Sequence, residues 1–282
     1  MIAARRRAAL VAPGSDERKA RKALESAADE VVLDLEDAVT PARKDEARDL
    51  VARLVREYGA TRAVSVRVNG PGTEWFRADL AAAAEVSGEL ASIVIPKVES
   101  VADLDAADRL LRGAEGVPLR VQALVETPTG VQNVVAIAAG PRVVAVIIGY
   151  ADLGAALGRS TSVRPAQWLY VQDRVLHAAR AAGVDAIDGP FLGIKDDEAF
   201  RDATRWVADL GFDGKWVIHP AQIDTAQETF TPTAEQADQA EKVLAALEEA
   251  ETLGAGAAQL DGQMLDEAVA VAARRTLAKI GA

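Results

Sequence analysis

The chain contains no cysteine and only two histidines among its 282 residues. The absence of cysteine excludes disulfide bonds, thiolate nucleophiles and cysteine-bound zinc, and it is compatible with a reducing cytoplasm, where we expect the protein to act. With so few nitrogen and sulfur ligands, a bound metal ion is expected to be a hard cation such as Mg²⁺, held by oxygen atoms.

Long apolar runs and an excess of positive charge are also missing. Charged residues, Gly or Pro interrupt every apolar run well before the roughly 18 residues that a membrane helix requires. The apolar stretch after the three arginines near the start is too short for a secretory signal. Because the formal net charge is −11, we expect no nucleic-acid partner and no anionic membrane partner.

Eight short runs rich in Val and Ile recur along the chain, with helical stretches between them. The runs end near residues 13, 36, 69, 96, 126, 149, 189 and 219, which are 23 to 40 residues apart. Each interval fits one strand, one helix and two loops, the βα repeat of a parallel sheet. Since eight such units close a barrel, the sequence predicts an α/β fold with a TIM (β/α)8 barrel.

The pattern changes near the end of the chain. Residues 233–253 and 264–280 are predicted as helices rich in Ala, Glu and Leu, with a Gly-rich turn and no strand between them. We therefore assign 1–230 to a barrel domain and 231–282 to a C-terminal helical extension. Within the barrel, Ser15, Ser100 and Thr127 are predicted to cap helices.

Polar residues follow the carboxyl ends of all eight runs, where barrel enzymes collect their catalytic groups. These residues are Ser15, Asp34, Glu36, Asp37, Arg67, Asn69, Lys97, Glu126, Asp152, Asp188 and His219. Because burying an unpaired charge is costly, the charged members need a metal ion, a substrate or each other as partners. His219 could act as a base, but a local hydrogen bond is the interpretation that we favour.

Glu126 and Asp152 are the candidate metal ligands. They follow two neighbouring runs, in VQALVETPTG (121–130) and VVAVIIGYADLG (143–154), so their carboxylates are predicted to lie side by side at one rim of the sheet. Two carboxylates suit a Mg²⁺ ion whose other positions go to water and to oxygens of an oxo-acid or hydroxy acid. The alternative is that each carboxylate only caps a helix or pairs with Arg67.

Asp34 and Glu36 are two residues apart on a strand and therefore face the same side, whereas Asp37 faces away or begins the turn. Asp34, Glu36 and Asp37 could hold metal-bound waters, or they could form salt bridges with Arg67 and Lys97. Arg67 lies among valines, and its planar fork suits capture of a substrate carboxylate; a structural ion pair is the alternative.

Lys97 raises a competing chemistry, because a desolvated lysine at a strand end can form a Schiff base with a carbonyl substrate. Glu99 follows almost at once, so we expect Lys97 to be paired and protonated.

Several motifs occur in order between about Leu10 and Asp266. They are LVAPGSDERKARKAL, VVLDLEDAVTPARK, VSVRVNG, IVIPKVES, ALVETPTGV, GYADLGAALG, AIDGPF, GFDGKWVIHPAQI and GQMLDEAV. Together they resemble the citrate lyase β-subunit-like branch of the HpcH/HpaI aldolase family. The resemblance implies a TIM barrel, Mg²⁺ on Glu126 and Asp152, and substrate binding by Arg67 and Glu126. It also implies a homotrimer or hexamer in which a catalytic aspartate, here Asp266, reaches a neighbouring active site.

The resemblance further implies a carbon–carbon lyase. Its substrates would be CoA or acyl-carrier thioesters of β-hydroxy acids, of the citryl-, malyl- or citramalyl-CoA type, cleaved to acetyl-CoA and an oxo-acid such as oxaloacetate or glyoxylate. Arg18, Lys19 and Lys22 could reach CoA phosphates, or they could form a solvated helix face. A thioesterase, a Schiff-base aldolase that uses Lys97, and a non-catalytic subunit that binds CoA esters stay open as alternatives.

Overall fold

The structure, a computed structural model, describes residues 5–112, 119–159, 165–252, 254 and 257–281. The chain divides into two compact units, Met1–Gln227 and Glu228–Ala282. Most of the predicted polar loop GRSTSVRP lies outside the described residues, because 160–164 are not among them.

Eight parallel strands form a closed barrel in chain order, and the last strand pairs with the first. The strands are β1 (Ala8–Pro13), β2 (Glu30–Asp34), β3 (Val64–Arg67), β4 (Ser92–Ile95), β5 (Val121–Val125), β6 (Val143–Ile148), β7 (Asp185–Asp188) and β8 (Gly214–Val217). Each of the eight runs that we predict as strands overlaps one of these, so the TIM-barrel prediction is confirmed.

Helices connect the strands and continue after the last one. They are α1 (Glu17–Leu24), α2 (Lys44–Tyr58), α3 (Phe76–Glu85), α4 (Val101–Leu111), α5 (Pro128–Ala138), α6 (Tyr150–Ala156), α7 (Leu169–Ala182), α8 (Glu198–Leu210), α9 (Ile223–Phe230), α10 (Ala234–Thr252) and α11 (Glu267–Gly281). Of the helices described, none is both long and apolar enough to cross a membrane.

Two of the three predicted helix caps are confirmed. Ser100 forms a capping box at the start of α4, and Thr127 accepts a hydrogen bond from the N–H of Gly130 at the start of α5. The prediction for Ser15 is wrong, because Asp16 caps α1 and the Ser15 hydroxyl donates to the carbonyl of Ala38 instead.

Period-two alternation along the strands builds the barrel interior in layers. The middle layer is apolar and consists of Ala9, Val32, Val94, Leu124, Ala145, Ile147, Ile187 and Trp216. Two residues before Val32 and Leu124 on their strands lie Glu30 and Gln122, and two residues after them lie Asp34 and Glu126. Polar side chains therefore enter the barrel both below and above the apolar layer.

The lower polar layer is centred on Glu30, which is fully buried. Its Oε1 accepts hydrogen bonds from the Ser65 hydroxyl and from Gln122 Nε2, and its Oε2 lies 3.1 Å from Nε of Arg6. Arg6 Nη1 also donates to Asp185, at 2.8 Å. These contacts neutralise a buried carboxylate at the amino-terminal end of the barrel, the end that contributes to stability rather than to catalysis.

The second unit contains a hairpin that we did not predict. Strands β9 (Ala258–Leu260) and β10 (Gln263–Leu265) pair antiparallel between α10 and α11. Asp261 and Gly262 form the turn and both have positive φ, 50° and 80°, which matches the two-residue hairpin turn favoured by an Asp-Gly pair. Our prediction of a strand-free connection between 233–253 and 264–280 is therefore wrong.

Candidate active site

Glu126 enters the upper end of the barrel directly after β5. It shares a face with Leu124 of the apolar layer, and only 4 % of its surface is exposed. Its Oε1 accepts a hydrogen bond of 3.0 Å from the backbone N–H of Lys97. The carboxylate is thus held in a fixed place, where most of its surface is shielded from water.

Arg67 ends β3 beside Asp34, its register partner on β2. Nε and Nη2 of Arg67 each donate to one Asp34 oxygen at 2.7 Å, and Nη1 lies 3.0 Å from Glu36 and 3.6 Å from Asp37. Burial alone would lower the pKa of Arg67, but these carboxylates outweigh it and raise the pKa. The ion pairs that we held open as an alternative are therefore present.

Lys97 connects the acidic residues of the rim. Its Nζ lies 2.5 Å from Glu36, 3.0 Å from Asp152 and 3.9 Å from Glu126. Burial would lower the pKa of Lys97, but the hydrogen bond and the charge of Glu36 outweigh it and raise the pKa. Lys97 is therefore paired and protonated as expected, although these partners come from other βα units and are not its sequence neighbour Glu99.

The backbone of Lys97 is strained, because its φ of 53° lies in the left-handed region that favours glycine. In this conformation its N–H donates to Glu126 while its side chain reaches Glu36 and Asp152. The strained residue is thus the one whose backbone and side chain together contact three carboxylates.

Asp152 lies in the first turn of α6, which follows β6. Its Oδ2 is buried and makes no hydrogen bond, although Lys97 Nζ is 3.0 Å away. Glu126 and Asp152 therefore both lie within 3.9 Å of one ammonium group.

We use the name rim cluster for Asp34, Glu36, Asp37, Arg67, Lys97, Glu126 and Asp152. Its five carboxylates share two cations, and each carboxylate lies within 3.9 Å of at least one of them. Burial first, and then the charges of Glu36 and Asp152, raise the pKa of Glu126 to about 8 against the opposing effect of Lys97. Burial likewise raises the pKa of Glu36.

This surplus of acidic groups and the unbonded oxygen of Asp152 fit a hard divalent cation. Within the described ranges, no three His, Cys, Asp or Glu side chains are grouped as a metal site. Glu126 and Asp152 would therefore supply two ligands, and water and substrate oxygens would supply the rest.

The other predicted site residues lie elsewhere or play local roles. Arg18 and Lys22 are exposed on α1. Asp266 is exposed in the second unit, and its Oδ1 accepts from the N–H groups of Ala268 and Val269 at the start of α11. Its predicted catalytic role stays a prediction.

Four residues predicted at the rim do not join the rim cluster: Ser15, Asn69, Asp188 and His219. His219 is exposed and its Nδ1 accepts from the N–H of Ala221, the local hydrogen bond that we favoured. Asp188 follows Ile187, whose side chain fills the barrel interior, so Asp188 points outward, where it pairs with Lys215. Its placement among the groups at the mouth is therefore wrong.

Lys44 and Asn69 support the rim from behind, and the sequence analysis did not assign them this role. The buried Nζ of Lys44 donates to the carbonyls of Leu35 and Glu36, both at 2.7 Å, and to Oδ1 of Asn69 at 2.5 Å. These bonds fix the backbone that carries Glu36. Lys44 begins α2 without an apolar neighbourhood in the sequence, so no local signal marks it as buried.

Gly149, between β6 and α6, is a further residue that the sequence analysis missed. A Cβ atom there would lie 2.4 Å from both Cβ and Oε2 of Glu126. We expect Gly149→Ala to displace the Glu126 carboxylate and to weaken Mg²⁺ binding about tenfold or more, within the ~10–100-fold range for groups that orient a metal ligand. Calorimetric titration with Mg²⁺ measures this.

Gly88→Ala is the matched control, because a Cβ at Gly88 has no atom within 4 Å. We expect it to bind Mg²⁺ as the wild type does. Equal Mg²⁺ affinity for Gly149→Ala and the wild type would show that Glu126 does not need its present position.

Comparisons with known proteins identify the family of this chain. A model of the HpcH/HpaI aldolase/citrate lyase family matches residues 7–220. The chain is 41% identical over 278 residues to a (3S)-malyl-CoA thioesterase of Cereibacter sphaeroides, covering 97% of this chain and 94% of that protein. It is 35% identical over 286 residues to an L-malyl-CoA/beta-methylmalyl-CoA lyase of the same species, covering 92% and 90%.

Among solved structures, the chain is similar to CitE from Mycobacterium tuberculosis in complex with magnesium, acetoacetate and coenzyme A. The TM-score is 0.79 at 33% sequence identity, and the match covers 100% of both chains. The family model covers all eight strands of the barrel, and the relatives named above match nearly the whole chain. The chain therefore belongs to the HpcH/HpaI aldolase/citrate lyase family.

Proposed function

We propose that the protein is a Mg²⁺-dependent enzyme that cleaves a carbon–carbon bond in a β-hydroxyacyl-CoA thioester of the malyl-CoA type. The observation that carries this proposal is the pair of carboxylates Glu126 and Asp152, both within 3.9 Å of Lys97 Nζ, at the barrel mouth. A relative that binds magnesium, acetoacetate and coenzyme A and relatives that are named for malyl-CoA support it.

The proposed reaction is a retro-Claisen cleavage. The substrate hydroxyl loses its proton, and the bond between the hydroxyl-bearing carbon and the carbon next to the thioester breaks. The first carbon becomes the carbonyl of an oxo-acid, and the bonding electrons form the enolate of acetyl-CoA or a related thioester, which then takes a proton. When bound, Mg²⁺ supplies Lewis acidity that favours loss of the hydroxyl proton.

The residues of the rim cluster have separate roles in this proposal. Glu126 and Asp152 hold the cation, and the positive charge of Arg67 orients the substrate carboxylate. Asp34 and Glu36 fix the Arg67 fork, and Lys97 offsets the acidic charge. All of these groups act on the carboxylate and hydroxyl end of the substrate, where carbon–carbon cleavage takes place.

Proton transfer to the enolate is assigned to Asp266 from a neighbouring subunit of a homotrimer or hexamer. Its exposure leaves the carboxylate accessible to another copy of the chain. The extension 231–282 would in this way complete the active site of its neighbour. Arg18 and Lys22, exposed on α1, are proposed to contact the CoA phosphates.

A Schiff-base aldolase is disfavoured by the contacts of Lys97. Its ammonium group lies within 3.0 Å of both Glu36 and Asp152, which hold it in the protonated, non-nucleophilic form.

Thioester hydrolysis is the second candidate, because the chain is 41% identical to a (3S)-malyl-CoA thioesterase. The same groups would bind the same substrate, and water would attack the thioester carbonyl in place of carbon–carbon cleavage.

Product analysis separates these functions. The protein with Mg²⁺ is incubated with malyl-, citramalyl- and citryl-CoA, and the products are identified by mass spectrometry. We expect the products to be an oxo-acid and a shortened acyl-CoA. Addition of EDTA should abolish their formation. Free CoA with an intact hydroxy acid would establish the thioesterase instead, and binding of all three thioesters without conversion would overturn both.

A further inference from the structure

Tyr150 begins α6 two residues before Asp152, and its hydroxyl is held by two buried groups. It donates to Oδ1 of Asp188 at 2.5 Å and accepts from Nε2 of Gln172 at 2.9 Å. Asp188 ends β7, and Gln172 lies on α7. The phenol therefore ties the first turn of α6 to a neighbouring strand and a neighbouring helix.

Asp188 is itself neutralised by Lys215, and both are nearly inaccessible to water, with 1 % and 2 % exposed. Lys215 Nζ also donates to the carbonyl of Gly189 at 2.8 Å. Because Ile187 and Trp216 point into the barrel, the side chains of Asp188 and Lys215 point outward, beneath the helices. This pair thus lies on the far side of the sheet from the barrel interior and has no direct role in the proposed chemistry.

The ring of Tyr150 is held as well as its hydroxyl. Its centroid lies 4.9 Å from that of Trp168, which is covered on one face by the guanidinium of Arg159 at 4.3 Å. On another side the ring approaches Gly189 so closely that a Cβ there would lie 2.8 Å from Tyr150 Cδ2. The contacts with Trp168 and Gly189, together with the two hydrogen bonds of the hydroxyl, thus restrict the position of the ring.

We infer that Tyr150, with Asp188, Lys215 and Gln172, is a positioning device for the metal ligand Asp152. A turn of helix is a short rigid connection, so the orientation of Tyr150 sets the direction from which Asp152 approaches Lys97 and Glu126. A cation gains full affinity only if its two carboxylates are held in place by the groups behind them. This inference rests on the proposed function, because it assigns the site to Mg²⁺.

The test is Tyr150→Phe, which keeps the ring and leaves the ion pair of Asp188 and Lys215 intact. We expect the dissociation constant for Mg²⁺ alone, measured by calorimetry, to rise about tenfold, the lower end of the ~10–100-fold range for groups behind a metal ligand. In turnover assays the Mg²⁺ concentration for half-maximal rate should rise in parallel, with a smaller change in the rate at saturating Mg²⁺.

Tyr170→Phe is the matched control, because Tyr170 on α7 is 60% exposed, and its Mg²⁺ affinity should equal that of the wild type. If Tyr150→Phe does not fold, Gln172→Met is judged by the same criterion. It removes the second hydrogen bond of the hydroxyl and also the bond that Gln172 accepts from Nε1 of Trp206. A folded variant with wild-type Mg²⁺ affinity overturns this inference alone. A wild-type protein that binds no Mg²⁺ overturns the proposed function and this inference with it.

Discussion

Glu126→Gln is expected to remove nearly all activity while leaving the protein at least as stable as the wild type. The amide keeps the shape of the side chain and can still accept the N–H of Lys97, but it carries no charge to hold a cation. We expect turnover of the thioester to fall on the order of 10³-fold, a loss typical when a group that stabilises developing charge is removed. Steady-state assays over a range of Mg²⁺ concentrations measure this effect.

Stability should not fall with activity, because the wild-type side chain is only 4 % exposed and lies near the carboxylates of Glu36 and Asp152. Because burial raises the pKa of Glu126 to about 8, this carboxyl is already largely neutral near pH 7 in the metal-free protein, and a neutral amide of the same shape adds no desolvation cost. The measurement is thermal unfolding in metal-free buffer. The control is Glu99→Gln, because Glu99 is exposed and lies in the preceding βα unit. Turnover within tenfold of the wild type, still sensitive to EDTA, would show that another residue holds the cation.

Arg6→Met is expected to destabilise the barrel by about 3–5 kcal/mol, the cost of leaving one member of a buried ion pair without its partner. Arg6 is the cation that neutralises Glu30, a carboxylate with no exposed surface, and it also binds Asp185. Methionine retains much of the apolar stem and removes the charge. Urea unfolding followed by circular dichroism gives the free energy of unfolding.

The double variant Arg6→Met with Glu30→Gln separates charge from packing. If the loss comes from the uncompensated carboxylate, the second substitution should return most of the stability. Arg77→Met, at an exposed position on α3, should change stability by no more than about 0.5 kcal/mol. A single variant Arg6→Met as stable as the wild type would mean that water or another cation already compensates Glu30.

The barrel was predictable because its strands are buried on both faces and therefore read as short apolar runs at regular intervals. The upper polar layer was predictable for a related reason. Glu126 follows β5 directly and Arg67 ends β3. The end of an apolar run therefore locates a rim residue even when its side-chain partners are not known. The sequence thus indicates which residues can meet there.

The β9–β10 hairpin shows a local signal that was present and not used. Asp261 and Gly262 stand between AQL and QML, a turn pair flanked by short alternating segments. The surrounding glycines suggested an irregular connection between two helices instead.

Other features depend on long-range contacts, which the amino-acid sequence alone does not show. The four-residue strand β7 is too short to reveal its parity, so Asp188 was assigned to the wrong face. Glu99 is near Lys97 in sequence, but the closest partners of Lys97, Glu36 and Asp152, come from other βα units. The positive φ of Lys97 follows from those long-range contacts rather than from its residue type.

The two polar layers of the barrel interior lie at opposite ends, with apolar side chains between them. Laboratory evolution aimed at new acyl chains could therefore randomise positions bordering the mouth while the ion pair at the base is kept unchanged. Substitutions that cost folding energy and substitutions that change substrate choice would then fall in separate libraries.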